Sequence, residues 1–400
     1  MLLEFKVGNF LSFKDVQVLR LAQVLDNADE GTKFGNPSQL MFIYGPNNAG
    51  KSNLIKAMSF SKDLILNGYS AIQPKRYFNK KGPSYFEYVI SINDIVYSYG
   101  FEIKLENMCL CSEWLYILDS KMDSCLYEYE IPYDSVSHAN TESLICNLEI
   151  NSDNHRNDHF SKVREWIQYS LSIIGSRICD TIIPVSNDFI EILESGLKNM
   201  DTGITKVIAD PFLKTEIPTN LIRKIPNKNI IEADGTYIAN IIGDGMKRDW
   251  IILISRLNGI SSYYNISLIH QKYVPSTMAC ESLGTMRIIT ILELLSKMKS
   301  GGTVIIDEIE CSVHTLVVGK LIDVFKDLSG NNAQMISTTH KTSILCRKDL
   351  GEECYYFIDT DRSINSGSRL YSMKSIDKHF EDRRRAYFDG RMAAIPYFIK

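Results

Sequence analysis

One stretch constrains this chain more than any other: Leu40-Met41-Phe42-Ile43-Tyr44-Gly45-Pro46-Asn47-Asn48-Ala49-Gly50-Lys51-Ser52, followed by Asn53-Leu54-Ile55-Lys56-Ala57-Met58. It reads as a short apolar strand, a glycine-bounded loop of the form G-x-x-x-x-G-K-S, and a helix. In such a loop, backbone N–H groups wrap phosphates, aided by the positive end of the following helix. Gly45 and Gly50 supply dihedrals and a close approach that a Cβ resists. Lys51 would reach the β- and γ-phosphates, and the Ser52 hydroxyl would ligate Mg²⁺. Gly45, Pro46, Asn47, Asn48, Ala49, Gly50, Lys51, Ser52 and Asn53 are therefore the candidate residues for ATP and Mg²⁺. A chance Gly-Lys-Ser in a surface turn is the plainer alternative; the strand before and the helix after argue against it.

The rest of the chain is compatible with such a site. Its 400 residues suit two to three domains with a sizeable core. Lys+Arg 44 against Asp+Glu 48 gives a formal charge of -4, so any DNA or RNA contact must come from a local patch. The cysteines include no C-x-x-C pair, and Cys109 and Cys111 have neither zinc nor redox spacing, which suits a reducing cytoplasm. The start, Met1-Leu2-Leu3-Glu4-Phe5-Lys6, is no signal peptide. No apolar run approaches the roughly 18–20 residues that span a bilayer, so no membrane partner and no fused transporter channel is expected.

Residues 2–20 alternate around a turn near 8–12 and predict two strands. The helix after the glycine loop should run to about Leu66. A loop follows, containing Gln73, and then a hairpin with Asn93-Asp94 at its turn. Further antiparallel strands are expected over 109–129. Composition shifts to Ser, Asn, Asp and His over 134–158, which marks a boundary. Helical apolar spacing recurs over 160–174, 188–200 and 238–257, so the 134–265 insertion is expected to be mainly helical. His155 and His159 could share a helix face as metal ligands, but their Asn- and Asp-rich surroundings read as a solvated loop. Strand character returns over 266–274.

The last third supplies a second half-site. Gly301-Gly302-Thr303-Val304-Ile305-Ile306-Asp307-Glu308 is an apolar strand ending in two acids. Asp307 would hold Mg²⁺ directly or through water, and Glu308 would polarise the attacking water as general base. Alone, two acids could simply end a buried strand; with the glycine loop upstream, the functional reading gains. Gln334-Met335-Ile336-Ser337-Thr338-Thr339-His340 is a further strand, and His340 could sense the γ-phosphate there. Glu281-Ser282-Leu283-Gly284-Thr285-Met286-Arg287 opens a helix with Ser282 as N-cap.

This order of motifs resembles the ABC-type P-loop ATPase heads of the SMC, RecF and OLD group. Asn9-Phe10-Leu11-Ser12-Phe13 looks like the strand turn that opens these heads. Residues 45–52 look like Walker A, Ser282-Leu283-Gly284-Thr285 like a shortened signature, and Asp307-Glu308 like Walker B with its catalytic glutamate. Ser312-Val313-His314 resembles the D-loop and His340 the switch histidine. More narrowly, the signature, the Asp307-Glu308-Ile309-Glu310-x-Ser312-x-His314 and Thr338-Thr339-His340 runs, and the ending Tyr387-x-x-Gly390-Arg391-x-x-Ala394-Ile395-Pro396, are similar to OLD-like ATPases of the abortive-infection AbiL and RloA type. Two features depart from that pattern: Lys341 stands where an Asp usually follows the switch histidine, and Gln73 is only a candidate for the Q-loop.

The resemblance implies an α/β fold, an ABC-type head whose mixed sheet carries an antiparallel β subdomain and a mainly helical insertion. Its N-terminal lobe would span 1–133, the insertion 134–265 and the C-terminal lobe 266–400. It implies an ATPase with Glu308, His340 and Lys51 as catalytic residues and Ser52 and Asp307 at the metal. Two heads would close over ATP, with Ser282 and Gly284 of one completing the site of the other. It further implies antiphage defence with a separately encoded effector, such as a Toprim or other nuclease; as the sequence ends at Lys400, soon after the Pro396 motif, no fused Toprim is expected. A RecF-like DNA-repair ATPase and a scaffold that hardly turns over remain alternatives. The run Glu381-Asp382-Arg383-Arg384-Arg385 would contact phosphate or an acidic partner, or form a solvated helix face.

Overall fold

The computed structural model describes residues 1–24, 34–68, 82–106, 109–118, 124–130, 154–175, 181–211, 234–242, 248–271, 275–276, 280–360, 367–376, 380–392 and 394–395. It divides into two compact units. The first comprises Met1–Ile173, Ile305–Asp307 and Gln334–Lys400; the second comprises Ile174–Val304 and Glu308–Ala333.

The first unit opens with the expected antiparallel pair, β1 (Leu2–Gly8) and β2 (Gln17–Arg20). The fully buried β3 (Leu40–Tyr44) runs into the glycine loop and α1 (Lys51–Asn67). The predicted hairpin is β4 (Ser84–Ile92) and β5 (Ile95–Lys104). Asn93 and Asp94 turn it at φ 49° and 65°, the left-handed pair that a tight two-residue hairpin demands. With β6 (Cys109–Leu118) and β7 (Ser124–Glu130) these strands form the antiparallel sheet β2-β1-β4-β5-β6-β7. Its buried rings, Phe5, Phe86, Tyr88 and Phe101 among them, share one core with Phe60 and Leu64 of α1. Each ring so buried contributes about 1.5–3 kcal/mol. The Tyr88 hydroxyl meets Ser61 at 2.6 Å and donates to the Met58 carbonyl at 3.0 Å, so α1 is fixed to this sheet by polar as well as apolar contacts.

α2 (Asn154–Glu165) continues into one π-helical turn, Trp166–Ser170, and then β8 (Leu171–Ile174). The helix expected over 160–174 thus ends as a strand. His159 meets the Tyr97 hydroxyl at 2.8 Å. The His155 side chain, Gln73 and the compositional boundary up to residue 153 lie outside the described residues.

The second unit contains β9 (Thr181–Val185), α3 (Phe189–Asn199), β10 (Ile204–Pro211), β11 (Gly235–Ile242), β12 (Arg248–Leu257), β13 (Ile260–His270) and β14 (Pro275–Ser276). The helix at 188–200 is borne out by α3. The helix expected over 238–257 is not: β11 and β12 pair antiparallel there, Ile238 opposite Leu253. The apolar positions that match a helical period are mostly β-branched, which favours a pleated surface. Gly243-Asp244-Gly245, in the middle of the run, is a breaker that the apolar spacing overrides only on paper. Among its described residues the insertion is therefore mainly strand rather than mainly helical. Its centre is the antiparallel sheet β10-β13-β12-β11-β9. α4 (Leu283–Lys297) packs on α3, where Gly196 makes room: a Cβ there would lie 2.7 Å from Leu292 Cδ1. β15 (Gly302–Ile306) and α5 (Thr315–Leu328) follow.

The remaining strands are β16 (Ala333–Thr338), β17 (Tyr355–Thr360) and β18 (Ser368–Ser372), with a short α6 (Arg383–Phe388) near the end. They complete a mixed sheet of order β18-β17-β3-β16-β15-β8. β3 lies between β16 and β17, parallel to both, while β18 is antiparallel. The α/β class, the mixed sheet and the antiparallel subdomain all match expectation. The carboxyl end of β3, where the glycine loop begins, therefore lies between two neighbouring strands that point the same way.

Candidate nucleotide site

Gly45 leaves β3 so close to β17 that a Cβ would lie 2.3 Å from the Ile358 carbonyl oxygen. Gly50 closes the loop at φ 115°, and a Cβ there would lie 2.5 Å from Ser368 Oγ and 2.8 Å from Ser12 Oγ. Gly45 is thus required by space, against a backbone oxygen, and Gly50 by its left-handed backbone. Asn48 also has a left-handed backbone, φ 66°, and both Asn47 and Asn48 are exposed at the loop's tip. α1 starts directly after Gly50 with no side-chain cap and no acidic residue in its first turn. Its positive end is left for an outside anion. The buried Lys51 ammonium donates to the carbonyls of Gly45 (2.8 Å) and Pro46 (3.0 Å), so it lies inside the loop that would hold phosphate.

The turn Asn9-Phe10-Leu11-Ser12-Phe13 supports this loop. Phe10 and Phe13, both fully buried, exchange backbone hydrogen bonds at 3.0 Å. Between them Leu11 takes φ 52°, which aims Ser12 at the loop. Asn53 Nδ2 donates to Ser12 Oγ at 2.9 Å, Ser368 N donates to Ser12 O at 2.7 Å, and Ser368 Oγ donates to Ala49 O at 2.5 Å. Ser368 was missed in the sequence. It comes from β18, far along the chain, and a lone serine in Ser366-Gly367-Ser368 carries no signal of its own.

Asp307, at the end of β15, lies beside the glycine loop. Ser52 Oγ lies 3.3 Å from Asp307 Oδ1, and Thr338 Oγ1 donates to the same oxygen at 2.6 Å. Asp307 is 5% exposed and Thr338 fully buried. A hydroxyl and a carboxylate side by side are hard oxygen donors, and Mg²⁺ is characteristically held by one or two such groups plus phosphate and water. The residues present fit MgATP.

The other predicted residues fall as follows. His340, in the first unit, ends the Thr-Thr-His run and is exposed, while Thr339 N beside it donates to Ile43 O at 3.0 Å. Glu308, Ser282 and Gly284 belong to the second unit. Glu308 is half-buried at φ 50°, a left-handed conformation that costs a residue with a Cβ about 1–2 kcal/mol. Such strain concentrates at functional sites. Cys311 N, at 2.8 Å, and Arg287 Nη2, at 3.4 Å, hold the Glu308 carbonyl. Ser282 caps α4, accepting from Thr285 N at 3.1 Å. A Cβ on Gly284 would lie 2.6 Å from the Ser312 carbonyl oxygen, so the start of α4 and the 312–314 turn are in direct contact. His314 caps α5 through Leu316 N at 3.3 Å. Glu281, just before the cap, is buried and bonded to His270 (2.8 Å) and Ser276 (2.6 Å).

A glycine loop at the end of a buried strand, an uncapped helix behind it and a carboxylate beside its serine define a P-loop nucleotide-binding domain of the ATPase class. Residues 40–345 match the family described as "AAA domain, putative AbiEii toxin, Type IV TA system", and the chain belongs to that family. No curated protein matches it. Among solved structures, it is similar to the SMC head domain from Thermotoga maritima at 13% identity, covering 93% of this chain and 98% of that one, with a TM-score of 0.40. It is also similar to an SmcHead bound to the C-winged helix domain of ScpA, at 12% identity over 94% and 99% of the two chains, with a TM-score of 0.46. Among the described residues no helix is long and apolar enough to cross a membrane.

Proposed function

We propose that this chain binds and hydrolyses ATP with Mg²⁺, and that two copies close over the nucleotide to control a separately encoded effector of nuclease type in antiphage, abortive-infection defence in the cytoplasm. The observation that carries the ATP reading is the cluster of Lys51, Ser52, Asp307 and Thr338 around a loop whose glycines tolerate no Cβ. The family's description, which names a putative AbiEii toxin of a Type IV TA system, supports the defence reading. Ser52 and Asp307 would hold Mg²⁺, which supplies charge neutralisation at the phosphates. Glu308 accepts the proton of the attacking water as its oxygen bonds to the γ-phosphorus and the β–γ bridging bond breaks. Lys51 offsets the charge gathering on the leaving oxygens, and His340 contacts the γ-phosphate. Ser282 and Gly284 present the N-terminal end of α4 to nucleotide held by the partner copy. The 134–265 insertion is the docking surface for the effector.

Glu308→Gln tests this reading. The variant should bind ATP, lose turnover and accumulate as an ATP-bound dimer in size-exclusion chromatography. Hydrolysis at the wild-type rate refutes the assignment of Glu308. Hydrolysis stimulated by DNA, with salt-dependent DNA binding, replaces the defence reading by that of a RecF-like repair ATPase.

A further inference from the structure

The ending Tyr387-x-x-Gly390-Arg391-x-x-Ala394 has no part in the site described above, yet its packing leads to it. Asp382 caps α6 by accepting from Arg385 N at 2.9 Å. Arg383 donates to the Leu350 carbonyl at 2.8 Å and lies over the Tyr355 ring at 5.4 Å. Gly390 turns the chain at φ 72°, where Gly390 N bonds Tyr387 O and Arg391 N bonds Ala386 O, both at 3.0 Å. The returning strand of chain is pinned by two tyrosines: Tyr387 donates to Ala394 O at 3.0 Å and Tyr371 to Met392 O at 2.8 Å.

The Tyr387 ring, fixed in this way, meets the Tyr44 ring edge-on at 5.8 Å. Tyr44 also packs on Phe357 at 6.0 Å and Tyr355 at 6.3 Å. It is fully buried and is the last residue before Gly45. Its hydroxyl donates to the Lys341 carbonyl at 2.9 Å. On the other side of His340, Thr339 N bonds Ile43 O at 3.0 Å. His340 is therefore bracketed by two hydrogen bonds that land on consecutive residues of β3, Ile43 and Tyr44. The Tyr44–Lys341 bond is half-buried, so water only partly replaces it when it is lost. The second bond uses a backbone carbonyl and so does not depend on the side chain at 341.

We propose that the C-terminal segment 383–392 is a built-in latch for the switch histidine, with Tyr44 as its positioning residue: the segment fixes the Tyr44 ring, and the Tyr44 hydroxyl fixes His340 relative to the phosphate loop. This rests on reading His340 as part of the proposed ATP site. The latch makes turnover, rather than nucleotide affinity, sensitive to the C-terminal segment. Lys51 and the loop amides do not pass through Tyr44's hydroxyl, whereas the register of His340 does.

The test uses the full chain with Tyr44→Phe, which removes one oxygen, and Tyr387→Leu, which removes the ring against Tyr44. Hydrogen–deuterium exchange over 339–345 should quicken about tenfold in Tyr44→Phe, since one lost net hydrogen bond is worth about a factor of ten. The ATPase kcat should fall by about tenfold, with the Kd for a fluorescent ATP analogue changed less than twofold. Tyr387→Leu should shift both readouts the same way, and it carries the test if Tyr44→Phe does not fold. Unchanged exchange over 339–345 in the variants overturns the latch. A wild-type chain that binds nucleotide without turning it over overturns the hydrolysis reading instead; the exchange data then decide the latch.

Discussion

Thr338→Val exposes how the Asp307 carboxylate is held. Thr338 Oγ1 donates to Asp307 Oδ1 at 2.6 Å, the length of a charge-assisted O–H···O⁻ bond, and both residues are buried. Valine has nearly the same shape, so the change leaves no cavity and isolates the lost donor. Hydrogen bonds to charged groups contribute about 1.5–3 kcal/mol, and a buried carboxylate that loses a donor keeps its desolvation cost. Ser52, at 3.3 Å, makes a longer and weaker contact with the same oxygen. The expected loss is about 1.5–3 kcal/mol, or roughly ten- to hundredfold in the unfolding equilibrium. Urea unfolding followed by circular dichroism measures it. A double-mutant cycle with Asp307→Asn should return a coupling of at least about 1 kcal/mol, because residues in direct contact are non-additive. A Thr338→Val chain within about 0.5 kcal/mol of wild type would show that Thr338 only fills space, and the account of Asp307 would fail.

Three further outcomes follow from the same structure. MgATP at a hundred times its Kd should stabilise wild type by about 2.7 kcal/mol and leave Lys51→Ala unmoved in thermal denaturation; equal stabilisation of both chains removes the glycine loop from the site. Gly45→Ala places a Cβ 2.3 Å from a backbone oxygen of β17, so it should cost about 1–3 kcal/mol and nucleotide binding together; a stable, ATP-binding Gly45→Ala chain contradicts the packing. Glu113, buried with the Tyr99 hydroxyl donating to it at 2.6 Å, has its carboxyl pushed up to about 7, chiefly by desolvation. The folded chain then holds a proton that the unfolded chain has already released. Stability should fall, relative to Glu113→Gln, as pH rises from about 4.5 to about 7, by about 3 kcal/mol in all. Urea midpoints of both chains across that window decide it, and a flat difference refutes it.

Much of the candidate nucleotide site is legible because its residues are contiguous. Gly45 to Ser52 is one loop, and backbone amides need no distant partner to point at phosphate. Asp307-Glu308 is readable because an apolar run ending in two acids is rare without a reason, and Ser282 because capping is local. The β4–β5 hairpin declares itself through Asn93-Asp94, whose side chains tolerate the left-handed turn. The 238–257 stretch fails for the opposite reason. Its isoleucines satisfy a helical period on paper, and only pairing with neighbouring strands selects β11 and β12.

By itself the sequence determined which segment would form the strand, glycine loop and helix, which two acids would end a buried strand, and the alternation that builds the first sheet. These are decided by residues within a few positions of each other. The tertiary structure alone decided the rest: that Thr338 holds Asp307, that Ser12 and Ser368 close on Gly50, and that Tyr387 reaches Tyr44. Each of those contacts joins strands far apart in the chain, and Ser, Thr and Tyr hydroxyls look the same in sequence whether they meet a catalytic loop or water. Their roles exist only once the parallel strands β16, β3 and β17 are laid side by side.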